Sequence, residues 1–232
     1  MIFHQFFDTE SSTYTYLLAS TQTREAVLID PVTSEIEQYA AMIAEKNLTL
    51  SYSLDTHVHA DHVTAANQLR KAFGCKTVLH RNADVVCADI LITDKSAIRI
   101  GDLLIEARYT PGHTNACTSY YVDGMVFTGD ALLIDGCGRT DFQEGDPAVL
   151  YDSIHQQIFS LPDDTIIYPG HDYKGRLSST VGQERLHNSR LGKGRSKEEF
   201  IEIMNNLNLP YPKKIDTALP ANKTCGQSGE IL

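Results

Sequence analysis

"DTHVHADHVTAANQLRK", residues 55–71, places three histidines and two aspartates in its first eight positions and then turns helical. The stretch before it, "LTLSYSLDT" (48–56), reads as a strand. His57 and His59, two apart, therefore lean to one side wherever the chain stays extended. Asp61 and His62 fall on the turn into "VTAANQLRKAFG" (63–74), a helix that Gly74 ends. One histidine here would be an ordinary surface or core residue. Asp55 or Asp61 as a helix cap would explain a polar entry. Neither explains five residues of metal-binding or acid–base type gathered at the carboxyl end of one strand.

The pattern recurs three times downstream. His113 stands in "TPGHT" (110–114), Asp130 in "VFTGDALL" (126–133) and His171 in "IIYPGHDY" (166–173). Each follows an apolar strand and stands beside a glycine, where backbone can turn tightly and approach a bound group. Taken singly, Gly112, Gly129 and Gly170 are turn glycines. Four strand-end loops of the same chemistry point to one convergent site at one edge of the sheets.

Outside these loops the chain alternates between runs of strands and strand–helix units. Three strands come first, "MIFHQFFD", "TYTYLLAS" and "EAVLIDP". Residues 33–47 carry apolar positions at helical spacing, Ile36, Ala40, Ile43 and Ala44, with Thr33 or Ser34 as the N-cap. Further strands are expected in "CKTVLH", "IRIGDLLIEARYTPG", "CTSYYVDG", "MVFTGD" and "DTIIYPGH", and helices over 147–160, 181–189 and 197–206. The end, "LPYPKKIDTALPANKTCG", is punctuated by prolines. Two sheets with helices outside them fit this order.

The composition is that of a globular protein, 42% hydrophobic and 22% charged over 232 residues, enough for one domain or two closely fused halves. A net charge of -10 argues against nucleic acid as a partner. No apolar run is long enough to span a bilayer, and "MIFHQFFDTE" does not read as a signal peptide. The five cysteines, Cys75, Cys87, Cys117, Cys137 and Cys225, show no C-x-x-C spacing. They are expected to be reduced, in a cytoplasmic protein.

"THVHADH" (56–62) matches the T-H-x-H-x-D-H signature, and the chain resembles the metallo-β-lactamase superfamily, with His113, Asp130 and His171 where that superfamily keeps its remaining ligands. The resemblance implies an α/β fold, an αββα sandwich of two mixed β-sheets flanked by helices, over a single domain 1–232. Within the superfamily, "GCGRTDFQ" (136–143) and "NLNLPYPKKID" (206–216) look like the persulfide dioxygenases, and the likeness runs over essentially the whole chain. No appended rhodanese domain is expected, since the chain ends soon after "ANKTCG".

That family resemblance implies a mononuclear non-haem iron(II) enzyme, one Fe(2+) per chain, oxidising glutathione persulfide with O2 and water to sulfite and glutathione. Its iron ligands correspond to His57, His113 and Asp130, a 2-His-1-carboxylate triad that leaves positions open for sulfur and O2. His59, Asp61, His62 and His171 then orient the ligands and shape the pocket. Arg139 and Tyr173 neighbour the metal loops and are candidates for gripping glutathione, Arg139 through its bidentate fork. The segment 171–197 holds seven basic residues against two acidic ones, a further candidate for the substrate's carboxylates. Cys117 and Cys137 are read as buried structural thiols. No membrane or nucleic-acid partner is expected, and a homodimer is compatible with the sequence.

The rival is a glyoxalase II-type hydroxyacylglutathione hydrolase with two metals. His57, His59, His113 and Asp130 would hold one and Asp61, His62, Asp130 and His171 the other, with a bridging hydroxide as nucleophile. Every one of those residues is present. The "GRTDFQ" segment and the short C-terminal part speak against it.

Overall fold

The computed structural model describes residues 1–227 and contains two mixed six-stranded sheets with helices. The first sheet is built from β1 (Ile2–Asp8), β2 (Thr13–Ala19), β3 (Glu25–Ile29), β4 (Thr49–Leu54), β5 (Lys76–His80) and β6 (Ile90–Ile92), in that spatial order. The second runs β12 (Ser179–Thr180), β11 (Ile166–Pro169), β10 (Met125–Gly129), β9 (Thr118–Val122), β8 (Leu103–Tyr109), β7 (Ala97–Ile100). Among the described residues six α-helices accompany them: α1 (Ile36–Glu45), α2 (Ala66–Phe73), α3 (Pro147–Ser153), α4 (Val181–His187), α5 (Lys197–Asn205) and α6 (Ile215–Asn222). Among the described residues no helix is long and apolar enough to cross a membrane.

The described residues divide into two compact units, 1–92, 98–105 and 211–227 against 93–97 and 106–210. In the first, Leu17, Leu28, Leu50 and Leu69 pack with Tyr39 and Ile43 of α1. β1 to β3 pair antiparallel, whereas β3 to β6 run parallel and need crossovers, which α1 and α2 supply for β3–β4 and β4–β5 and residues 81–89, with a 3-10 turn, for β5–β6. In the second unit Val126, Leu150, Ile154, Ile167 and Phe200 form the core. There β10 and β11 are the parallel pair, and β9 and β12 flank them antiparallel.

The two parallel junctions matter most for the site. Parallel strands end side by side, so the loops leaving them are neighbours. Ile29 faces Leu54, so Asp30 emerges beside Asp55. Gly129 faces Pro169, so Asp130 emerges beside Gly170 and His171.

Several expectations are corrected. Neither Thr33 nor Ser34 caps α1: a 3-10 turn over Thr33–Glu35 precedes it, and Glu35 stands at the N-cap without a side-chain bond. The Thr33 hydroxyl instead donates to the Thr64 carbonyl and that of Ser34 to Asp8. Helix α2 starts at Ala66 rather than at Val63, and the Thr64 hydroxyl donates to Asp55 while accepting from the Ala66 amide. The expected helix 147–160 is α-helical to Ser153 and π-helical over Ile154–Ile158. The proline-punctuated end contains α6, with Pro220 inside it, and β6 and β12 had no sequence signal. Cys87 and Cys225 are joined in a disulfide across 138 residues rather than reduced. Spacing along the chain gave no hint of that pair. Cys75, Cys117 and Cys137 take part in no disulfide and are buried, as read for Cys117 and Cys137.

Candidate metal centre

In the first unit the site begins with Asp30. It is buried, and its amide donates to the Leu54 carbonyl at 2.8 Å, which locks the ends of β3 and β4 together. Asp30 Oδ1 accepts from the Thr56 amide at 2.6 Å and faces His59 Nε2 at 3.0 Å, while Oδ2 accepts from the Thr56 hydroxyl at 2.9 Å. With its hydrogen given to Asp30, the Thr56 oxygen can only accept from His57 Nδ1, 3.0 Å away. The proton on Nδ1 leaves the lone pair of His57 on Nε2, the tautomer a metal ligand needs.

His59, Asp61 and His62 bring their donor atoms within 4.8 Å of one another, as do Asp30, Asp55 and His59. Burial opposes a charge on His59, but the Asp30 carboxylate, helped by Asp61 and Asp55, lifts it to about 9. Burial pushes the Asp55 carboxyl up to about 7, and the neighbouring charge of Asp30 adds to it. The Thr13 hydroxyl reaches Asp61 Oδ2 at 3.1 Å and His62 Nδ1 at 3.3 Å, so β2 braces the outer part of the loop.

In the second unit, Gly170 N donates to the Gly129 carbonyl at 2.8 Å, holding the ends of β10 and β11 in register. His171 Nε2 then lies 3.5 Å from Asp130 Oδ1, and His113 Nε2 lies 3.6 Å from Asp130 Oδ2. His113 Nδ1 is 2.6 Å from the Arg139 carbonyl, which only accepts, so Nδ1 carries a proton and the neutral ring has its lone pair on Nε2. That lone pair faces a carboxylate oxygen, and Asp130 Oδ1, also buried, accepts no hydrogen bond. Two electron-rich groups turned on each other at this range repel unless a metal ion, or a proton on Nε2, lies between them. The donor set fits a metal ion.

Backbone closeness builds the same corner. A Cβ on Gly138 would stand 2.8 Å from the His113 ring, and one on Gly170 2.6 Å from Asp130 Oδ1. Both positions exclude a side chain for want of room.

Arg139 spends its fork internally: Nε and Nη2 donate to Asp141 at 2.6 and 2.7 Å, Nη1 donates to the Pro210 carbonyl, and the guanidinium lies over Phe142. The Arg139 hydrogen bonds hold the Asp141 carboxyl below its ordinary range. Tyr173 is 75% exposed, its ring stacked parallel to that of His171. The basic segment is largely answered within the unit: Arg176 pairs with Asp172, Arg185 with Asp163 and Lys197 with Asp152, while Arg190 and Arg195 donate to backbone carbonyls. Its local excess of positive charge is thus mostly structural. Asp30 was missed by sequence reading, although an aspartate directly after an apolar strand repeats the Asp130 pattern.

A family model described as the metallo-beta-lactamase superfamily matches residues 8–90 and 88–171. The human mitochondrial persulfide dioxygenase ETHE1 is 49% identical over 229 residues, covering 97% of this chain and 89% of that one. The crystal structure of ETHE1 from Myxococcus xanthus superimposes with a TM-score of 0.96 at 51% identity, over 98% of this chain and 100% of that one. A probable hydroxyacylglutathione hydrolase of Schizosaccharomyces pombe is 36% identical over 166 residues, 69% of this chain and 64% of its own length. The order of these likenesses follows the order of the two readings, and the chain belongs to the metallo-beta-lactamase superfamily, in the branch that holds the persulfide dioxygenases.

Proposed function

We propose that this enzyme holds one Fe(II) per chain through His57, His113 and Asp130 and oxidises glutathione persulfide with O2 and water to sulfite and glutathione. The observation that carries the reading is the pair of fixed tautomers. Thr56 holds a proton on His57 Nδ1 and the Arg139 carbonyl holds one on His113 Nδ1, so both rings offer Nε2 as a neutral donor. Those two nitrogens and the Asp130 carboxylate make a 2-His-1-carboxylate set of the atom types an ion takes. When bound, Fe(II) supplies a redox-active centre with positions left open for a sulfur donor and for O2.

The chain's own residues do the positioning. Asp30 anchors Thr56 and so fixes the ring of His57. Gly138 and Gly170 let backbone close against His113 and Asp130, restricting both side chains. Tyr173 offers an exposed aromatic face for the glutathione moiety, and Arg139, held flat by Asp141, keeps a cation beside the His113 loop.

One observation favours the hydrolase instead. His59 Nδ1 is buried without a hydrogen-bond partner, and the group His59, Asp61 and His62 is what a second ion would use. Substrates separate the two readings. With glutathione persulfide the iron-loaded protein should consume O2 and release sulfite in equal amounts. S-lactoylglutathione should be hydrolysed negligibly. Rapid anaerobic thioester cleavage, two tightly held ions per chain and no oxygen uptake would assign it to the hydrolases.

A further inference from the structure

Asn222 is the last residue of α6 and is buried. Its side-chain amide makes three hydrogen bonds to a single loop. Oδ1 accepts from the Thr64 amide at 2.9 Å, and Nδ2 donates to the carbonyls of His59 and His62, each at 2.8 Å. Two carbonyls and one N–H leave no doubt about which end of the amide is which. The partners lie 158 to 163 residues earlier in the chain, so the contact is wholly tertiary.

The loop needs such a partner. Residues 55–65, between β4 and α2, form neither strand nor helix apart from an isolated bridge at Thr64. Their buried backbone groups therefore have no ladder or helical turn to satisfy them. Asp30 holds the loop at Thr56 and His59, and Asp55 takes the Thr64 hydroxyl. Asn222 binds the stretch in between, at the peptide groups of the residues that carry the His59 and His62 imidazoles.

The segment bearing Asn222 is itself secured. Cys225 is bonded to Cys87, and its carbonyl accepts from the Asn67 amide at 3.0 Å. Gly226, at φ +76, passes so close that a Cβ there would overlap the Thr64 carbonyl oxygen.

We infer that Asn222 is a positioning residue for the histidine loop: through the His59 and His62 carbonyls it sets where the loop's imidazoles stand around the metal. The inference rests on the reading above, in which this loop supplies the ligand His57. An aspartate in its place would keep the shape and the Thr64 contact but turn an anionic oxygen on two carbonyl oxygens. An alanine would remove all three bonds.

The test compares the full-length wild type with Asn222→Ala and Asn222→Asp. Hydrogen exchange is followed on the metal-free proteins, and Fe(II) affinity is measured anaerobically by chelator competition. Both variants should lose protection at residues 59–64 while β4 and α2 keep theirs, and Fe(II) should bind roughly 10–100-fold more weakly, as for other groups that orient ligands. A folded variant with wild-type affinity and unchanged protection in the loop overturns the inference. So does global unfolding of both variants, which would make Asn222 a stability residue. Wild-type protein that takes up no iron would instead refute the proposed function, while the exchange data would still judge Asn222.

Discussion

Gly170 lies so close to Asp130 that a Cβ on it would stand 2.6 Å from Asp130 Oδ1. The glycine is thus the wall that fixes the carboxylate. Gly170→Ala should push Asp130 out of place and weaken metal binding by roughly 10–100-fold. Helical and strand content by circular dichroism should stay as in the wild type. Metal content after dialysis against a chelator is the readout. Unchanged retention would mean that the carboxylate can shift without loss.

Thr56 passes the order imposed by Asp30 on to His57. Thr56→Val keeps the shape and removes both hydroxyl bonds, leaving His57 Nδ1 without that acceptor. A stability loss of about 1–3 kcal/mol is expected for the stranded polar groups. The larger effect should be on the tautomer, seen as a shift of the His57 ring nitrogens in NMR of the metal-free protein and as lower metal affinity. If the ring keeps its proton on Nδ1, Thr56 is not what holds it there.

Arg139→Ala bears on the substrate. A charge-assisted contact with glutathione worth about 1.5–3 kcal/mol should raise KM roughly 10–100-fold with kcat near the wild-type value. Asp141→Ala frees the guanidinium and should change KM in a different measure from Arg139→Ala. Equal KM values in all three proteins would confine Arg139 to its contacts with Asp141 and the Pro210 carbonyl.

Thiol chemistry tests the cysteine assignment. Burial pushes the thiols of Cys75 and Cys137 up to about 11, so at pH 8 only about one in a thousand is ionised. The native protein should resist iodoacetamide at both. Unfolded without reductant, it should expose three thiols, Cys75, Cys117 and Cys137, and after reduction all five. Five thiols before reduction would rule out the Cys87–Cys225 bond.

The histidine loop was legible because its evidence is local: five residues of one chemical kind in eight positions need no tertiary knowledge. His113, Asp130 and His171 were legible for a related reason, each sitting at the end of a strand that β-branched residues announce. Asp30 was not, since its part depends on β3 and β4 being parallel neighbours, and pairing is absent from the letters. The start of α1 misled for the same cause. Thr33 and Ser34 are good caps by type, but Thr64 and Asp8, remote in sequence, claim their hydroxyls first. Helix α6 was hidden by Pro210, Pro212 and Pro220, which read as breaks. The basic segment looked like a ligand grip because its acidic partners Asp152 and Asp163 are visible as partners only once the chain is folded.

The bond between Cys87 and Cys225 makes the intervening chain a closed covalent ring. Residues 93–97 and 106–210, the whole second compact unit, lie inside that ring by connectivity alone. A protease that cuts anywhere between the two cysteines opens the ring but frees no fragment until the bond is reduced. His113, Asp130 and His171 thus stay on one molecule with His57 even after a single cut. The unfolded chain is also denied about 5 kcal/mol of loop-closure entropy in the chain-entropy picture.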